Sequence, residues 1–334
     1  GGQLVGTTVG LNLILNGQVI DKFPMLDGLD ITDVAPADED EYFFSTYGQG
    51  LYHLKDGALQ QFRQEAGLPS DTIYRLHLEK SGRLWLATYS GIAYYEDGVF
   101  TKVPLTGELD APVIISMFND SKDTLWFSVA SGGLFSLRNG KLVSHVEGTT
   151  LENTTVFHLS EDEQGKIWGG YSGGILKVDN GEITSYSVDG ILPSVNIFHV
   201  WNDNSGSIWL TTNMGIYQID IDEFSGEMLS PDFSYRQYLE NDGLPGNNAT
   251  ALSRILVSSE AVWITFSRGI AVLHYDSFQP NNYLPRVFIS QIIGSSNLIS
   301  DTPLEYDAGT IFEPGLKQLR IRNTAPRFQA NRRQ

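Results

Sequence analysis

The stretch Gly67-Leu68-Pro69-Ser70-Asp71-Thr72-Ile73-Tyr74-Arg75-Leu76-His77-Leu78-Glu79-Lys80-Ser81-Gly82-Arg83-Leu84-Trp85-Leu86-Ala87-Thr88-Tyr89-Ser90-Gly91 decides how the whole chain is read. It begins with a Gly-Leu-Pro leader. An apolar strand over 72–79, a Lys-Ser-Gly turn and a second strand over 84–88 follow, and further strands flank Asp97-Gly98. Its anchor, Trp85-x-x-Thr88-x-x-Gly91, returns at Trp126, Trp168, Trp209 and Trp263, and in weaker form near Phe43 and Leu4. The anchor glycines stand at 10, 50, 91, 133, 174, 215 and 269, separated by 40, 41, 42, 41, 41 and 54 residues. An insertion around residues 222–232 stretches the last interval. Self-similarity at about 40–45 residues with one aromatic per unit marks a propeller.

Six residues after five of these glycines comes a turn pair: Asn16-Gly17, Asp56-Gly57, Asp97-Gly98, Asn139-Gly140 and Asn180-Gly181. Two-residue hairpin turns need positive φ at both positions, which Asn, Asp and Gly tolerate, so each pair joins two antiparallel strands. Four strands per unit make one blade, and seven units make an all-β, seven-bladed β-propeller with almost no helix. The leading strands, such as Ile73–Leu78, are apolar on both sides and therefore innermost, between neighbouring blades. The aromatic anchors read as inter-blade core and not as a ligand cage. The first unit starts at its second strand, so its inner strand is expected from upstream of Gly1 or from the C-terminal end; the blade is read as incomplete and the N-terminus as cut.

The 334 residues carry 41% hydrophobic side chains and a formal charge of −18. A large core is affordable, while nucleic acid and anionic membranes, which need clustered Lys and Arg, are disfavoured partners. With no cysteine there is neither a disulfide framework nor a thiolate nucleophile. No run of about 18 apolar residues is present to span a bilayer.

The leader, turn, Trp and Gly in register, seen again in Asp189-Gly190-Ile191-Leu192-Pro193-Ser194 and Asp242-Gly243-Leu244-Pro245-Gly246-Asn247, resemble the two-component regulator propeller repeat over residues 1–278. Residues from Leu284-Pro285-Arg286-Val287-Phe288-Ile289 to Leu319–Phe328 resemble the start of the immunoglobulin-like domain, named for its tyrosines, that follows such propellers. The expected organisation is a propeller over 1–280 and the first part of an immunoglobulin-like sandwich over 281–334. The resemblance implies a periplasmic ligand-sensing module of a membrane-bound receptor, homodimeric when whole, with a histidine kinase or diguanylate cyclase as output. It implies a small molecule or oligosaccharide as ligand and no catalysis within this chain. A propeller lyase or hydrolase acting on glycans and a protein-interaction scaffold are the alternatives.

The six histidines show no metal-binding spacing, and no cofactor is expected. Asp-rich turns such as Glu161-Asp162-Glu163-Gln164-Gly165 lack the calcium-loop spacing and read as turns. Ten residues before each anchor aromatic stand Asp33, Arg75, Ser116, His158, His199 and Ser253, all polar within an apolar strand. A buried strand tolerates this only where water or a partner satisfies the side chain, which points to a solvated central channel. Either the channel is a water-filled pore, or Arg75, His158 and His199 bind an anionic or sugar ligand there. A second set, Tyr47, Tyr89, Tyr171, Asn213 and Arg268, lies just before the anchor glycines on the leader face. Exposed tyrosines there would stack on sugar rings; packing between blades is the competing reading.

Overall fold

The computed structural model describes residues 2–275, apart from 16, 21–22, 106–110, 147–148, 150, 194–195, 227–228, 230–232, 252–253 and 259–260. Beyond them it describes the backbone of 288–294, 297–300 and 319–324. The chain divides into two compact units, Gly1–Tyr275 and Asp276–Gln334. The first is a seven-bladed propeller whose sheets have three, four, four, four, four, four and three strands in chain order. Among the described residues its only helical elements are short 3-10 turns. The described part of the second unit is one antiparallel sheet in which Phe288–Gly294 lies between Asn297–Ser300 and Leu319–Thr324.

Blade 3 shows how the repeat becomes a sheet. Its strands Ile73–Leu78, Leu84–Thr88, Gly91–Glu96 and Val99–Lys102 pair consecutively and antiparallel, with Trp85 opposite His77 and Tyr94. The turn pairs behave as their residue types require: φ is 51° and 83° at Asp97-Gly98, and 50° and 73° at Asn139-Gly140. Asn16 lies outside the described residues. The anchor glycines hold the blades together. Gly50 and Gly215, at φ 83° and 97°, donate their N–H to the carbonyls of Asp71 and Asn247 just ahead of the next inner strand. A Cβ there would run into the carbonyl oxygens of Phe62 and Tyr238.

Alternation along the second strand sorts side chains to the two neighbouring blades. Leu84 and Leu86 pack back against Phe43 and Leu51 of blade 2, whereas Trp85 and Ala87 pack forward against Ile114 and Phe127 of blade 4. Trp126 and Trp168 join the next blade's core in the same way, so these aromatics are inter-blade core. Full burial of one such ring contributes on the order of 3 kcal/mol. The indole N–H still needs a partner inside. Trp85, Trp126, Trp168 and Trp209 each donate to the acid six residues upstream, Glu79, Asp120, Asp162 and Asp203, at 2.6, 2.9, 2.8 and 2.8 Å. Asp162 also takes the turn N–H groups of Gln164 and Lys166 on its other oxygen. The Asp-rich turns are thus devices that fold the hairpin, and no cluster of three or more metal-ligating side chains occurs among the described residues.

The first strands of blades 2 to 6, Ile31–Asp38, Ile73–Leu78, Ile114–Asn119, Val156–Glu161 and Ile197–Asn202, pack side by side around the axis, as innermost strands do. Each carries a β-bulge whose extra residue is Thr32, Tyr74, Ile115, Phe157 or Phe198. A bulge breaks the alternation and re-aims the side chains beside it. The residue after each bulge is the polar one: Asp33, Arg75, Ser116, His158 or His199. Opposite it on the second strand stands a small residue, Ser45, Ala87, Ser128, Gly170 or Thr211.

Blades 1 and 7 depart from this pattern. Among the described residues blade 1 has three strands, and Gln3–Thr7 lies directly against blade 2's inner strand, where a Cβ on Gly6 would meet the Ile31 carbonyl at 2.8 Å. In blade 7, Ala249 bridges to Phe266 and Leu256 pairs with Trp263. Residues 250–255 therefore span what 74–76 span in blade 3. The ten-residue count to Ser253 does not carry the strand register of the other blades, and Ser253 itself lies outside the described residues.

Candidate functional site

The bulges bring aromatic side chains together on the innermost strands. Phe157 and Phe198 are half-buried bulge residues that meet edge to face, with centroids 5.6 Å apart. Tyr74, the blade 3 bulge residue, meets Tyr47 edge-on at 6.3 Å, and burial together with Tyr47 and Tyr89 raises its pKa. Tyr47 and Tyr89 are 57% and 55% exposed on the loops flanking it. Blades 2 and 3 thus present Tyr47, Tyr74 and Tyr89 close together, and blades 5 and 6 the pair Phe157 and Phe198.

One residue further along the same strands the side chains become polar and charged, and most are buried. Arg75 is 4% exposed and donates to the Tyr74 carbonyl at 2.8 Å. Removal from water lowers its pKa to about 10; Asp33 pulls it upward and Arg254 pushes it down. Asp33 is consumed by structure and by one cation: Oδ1 accepts from Val34 N, and Oδ2 accepts from Leu76 N at 2.8 Å and from Arg254 Nε at 2.9 Å. Arg254 comes from the irregular segment of blade 7 and also donates to the Leu76 carbonyl, so it ties blades 7, 2 and 3 across the axis.

His199 is fully buried, with Nδ1 2.6 Å from Thr211 Oγ1, and its ring meets that of His158 at 5.0 Å. His158 Nδ1 is buried without a hydrogen-bond partner among the described residues. Burial holds the His158 pKa well below the ordinary value, and His199, Arg75 and Arg254 lower it further. This imidazole is neutral near pH 7. The charged groups acting on it are the guanidiniums of Arg75 and Arg254, the latter paired with Asp33. Ser116 is spent on the fold, donating to the Val156 carbonyl of the next blade at 2.9 Å.

The structure brings His158 and His199 into ring contact with Arg75 close enough to act on His158, and brings Tyr47 and Tyr89 close to Tyr74. Tyr171 is not with them. The anchor places it in line with Thr88 and not with Tyr89: it ends the second strand opposite Gly174, as Thr88 lies opposite Gly91. That position is interior, and Tyr171 is 4% exposed in the same core as Trp126 and Leu176. The expectation of an exposed Tyr171 is corrected by this register. Asn213 and Arg268 are exposed on the loops of blades 6 and 7, and Arg268 reaches Glu240 at 3.4 Å. Sequence reasoning missed Tyr74, Phe157 and Phe198, because a bulge leaves no mark in an apolar run. It also missed Arg254, although a charge where the other repeats carry Val34, Leu76, Met117, Leu159 and Val200 was a signal.

Solved structures share this architecture. The extracellular domain of the hybrid two-component system BT3049 from B. thetaiotaomicron superposes with a TM-score of 0.69 at 16% identity, covering 92% of this chain and 42% of that one. Virginiamycin B lyase from Staphylococcus aureus, in complex with quinupristin, gives 0.60 at 14% identity, covering 82% of this chain and 99% of that one. PorZ, a surface component of the type-IX secretion system of Porphyromonas gingivalis, gives 0.59 at 16% identity over 97% of this chain and 57% of that one. What the chain shares with them is its fold. It spans about two fifths of the length of the two-component extracellular domains, whose coverage is 42% and 43%. The chain matches no family model and no curated protein in sequence.

Proposed function

We propose that this chain is the ligand-sensing part of an extracytoplasmic receptor and that its ligand enters the axial channel. The observation that supports the reading is the succession along the inner strands of the aromatic contact between Tyr47 and Tyr74 and, one residue on, Arg75 with Arg254 held by Asp33 nearby, read as the mouth and interior of the axial channel. The ligand is a small molecule or sugar bearing one anionic group: a ring stacks at the mouth and a carboxylate meets the arginines. The fold likeness to extracellular domains of hybrid two-component systems supports the receptor setting. In this reading the second unit begins an immunoglobulin-like sandwich. It passes the signal across the inner membrane from the periplasm to a kinase or cyclase in a homodimeric receptor.

Titration calorimetry with glucuronate and glucose tests the ligand class. Glucuronate binds about tenfold or more tightly than glucose, and Arg75→Gln removes the difference, with thermal melting as the control for folding. Equal affinities for acid and neutral sugar overturn the reading.

One observation favours a lyase instead. The buried His158 Nδ1, without a hydrogen-bond partner among the described residues, is a free acceptor for a substrate proton near the Arg75 and Arg254 charges, and burial weakens it as a base. Ultraviolet-absorbing unsaturated products from a uronic-acid glycan, lost in His158→Gln, would establish it.

A further inference from the structure

The outer clefts of the propeller supply a second site, independent of the channel. Between blades 4 and 5, at the end carrying the Asn-Gly turns, lies a groove of about 600 Å³ with Trp126, Ser136 and His145 on one wall and Ile167 and Val178 on the other. His145 stacks on Trp126 at 4.9 Å, and its Nε2 lies 2.8 Å from Ser136 Oγ.

The same cleft one blade on shows what such a space holds. Ser136 faces Trp126 as Lys177 faces Trp168. His145 bonds to Leu134 where Tyr186 is paired with Ile175. Between blades 5 and 6 this place is filled by the chain's own insertion: Phe224, 2% exposed, sits edge-on to Trp168 at 5.5 Å and to Tyr186 at 5.2 Å. Its carbonyl accepts from Lys177 Nζ at 2.9 Å and from Tyr186 Oη at 2.8 Å. The plug reads Asp220-Ile221-Asp222-Glu223-Phe224, an aromatic preceded by three acids.

The groove between blades 4 and 5 is open because Ser136 is small; blade 3 places Tyr94 there, tilted against Trp85 with centroids 5.3 Å apart. Its edge is cationic. Lys122, Arg138 and Lys141 line it, and none takes part in an ion pair among the described residues. Asp120, the acid lining the groove, is spent on Trp126 Nε1 and on the N–H groups of Lys122 and Thr124.

We propose that this groove docks an acidic segment of a partner protein through one aromatic residue, seated as Phe224 is seated in the next cleft. The aromatic ring enters beside Trp126 and His145, and the preceding carboxylates meet Arg138, Lys141 and Lys122.

The probe is a fluorescent peptide copying residues 220–226, titrated against the full chain by anisotropy. Saturable binding that weakens as salt is raised is expected. Replacing the peptide's Phe by Ala weakens it about tenfold or more. Ser136→Tyr, which fills the groove as Tyr94 fills that of blade 3, does the same. So does the surface pair Arg138→Glu with Lys141→Glu, which leaves the melting temperature unchanged. No saturable binding at millimolar peptide overturns the proposal, as does binding indifferent to both variants, which would mean exchange with Phe224 in the neighbouring cleft. Tighter binding of an acidic oligosaccharide than of the peptide would assign the groove to glycan and overturn it as well.

Discussion

Two sets of polar side chains recur at fixed places in the blades, and they behave in opposite ways. At the hairpin between the first two strands, Glu79, Asp120, Asp162 and Asp203 all accept the indole N–H six residues downstream. On the innermost strand the recurring position holds a different group in every blade except two: Asp33, Arg75, Ser116, then His158 and His199. A repeat position with constant chemistry serves the fold, because each blade must solve the same problem of a buried indole. A position that keeps its polarity but changes its chemistry is answering something the repeat does not contain.

The difference between a structural and an exposed position is sharpest for two tyrosines near the anchor glycines of blades 5 and 3. Tyr171→Ala removes a ring from the core around Trp126 and is expected to cost about 4 kcal/mol in denaturant unfolding, whereas Tyr89→Ala, at an exposed ring, changes stability by no more than about 0.5 kcal/mol. Equal costs would break the register assigned to Tyr171. Next in size is Asp162→Ala, which leaves the Trp168 indole and Asn202 Nδ2 unpaired and frees two turn N–H groups. A loss of about 3 kcal/mol with ligand affinity in the channel unchanged is expected. A change in affinity without loss of stability would mean that the hairpin acids belong to function after all.

Acidification probes the other set. Folding depresses the His158 pKa, so the unfolded chain binds the proton more readily. Stability is therefore complete above the ordinary imidazole value of about 6.5 and falls as pH drops below it. His145 and His77, also lowered by burial, add to the slope. In unfolding experiments His158→Phe should flatten the pH dependence below neutrality, and an unaltered slope would place the titration elsewhere. The smallest effect expected is that of Tyr89→Ala on uronate affinity, a loss of about 1 kcal/mol for one stacking ring. No loss would confine recognition to the channel interior.

Much of this contrast was legible in the sequence. The Trp-x-x-Thr-x-x-Gly frame located the blades, and the count of ten back from each aromatic located Asp33, Arg75, Ser116, His158 and His199. The limits have physical causes. A bulge adds a residue without changing composition, so Tyr74, Phe157 and Phe198 looked like ordinary members of an apolar run. Trp168-x-x-Tyr171-x-x-Gly174 has the spacing of Trp85-x-x-Thr88-x-x-Gly91, so a strict count pairs Tyr171 with Thr88 and Ser172 with Tyr89; reading the tyrosines by their nearness to the glycine alone misplaced Tyr171. The irregular segment of blade 7 hid Arg254, whose contact with Asp33 spans 221 residues of sequence. Likewise, the kinship of the blade 4 and blade 5 clefts rests on strand register, and nothing in the spelling of Ser136 and Lys177 suggests it.

The central claim is that Arg75, His158 and His199, among the varied polar residues of the inner strands, receive an anionic ligand while the constant hairpin acids do not. Proton NMR of the imidazole and indole groups during a glucuronate titration tests it directly. The account predicts that the His158 and His199 ring signals shift to saturation while the indole N–H signals of Trp126, Trp168 and Trp209 stay in place. Shifting indoles with stationary imidazoles would contradict it.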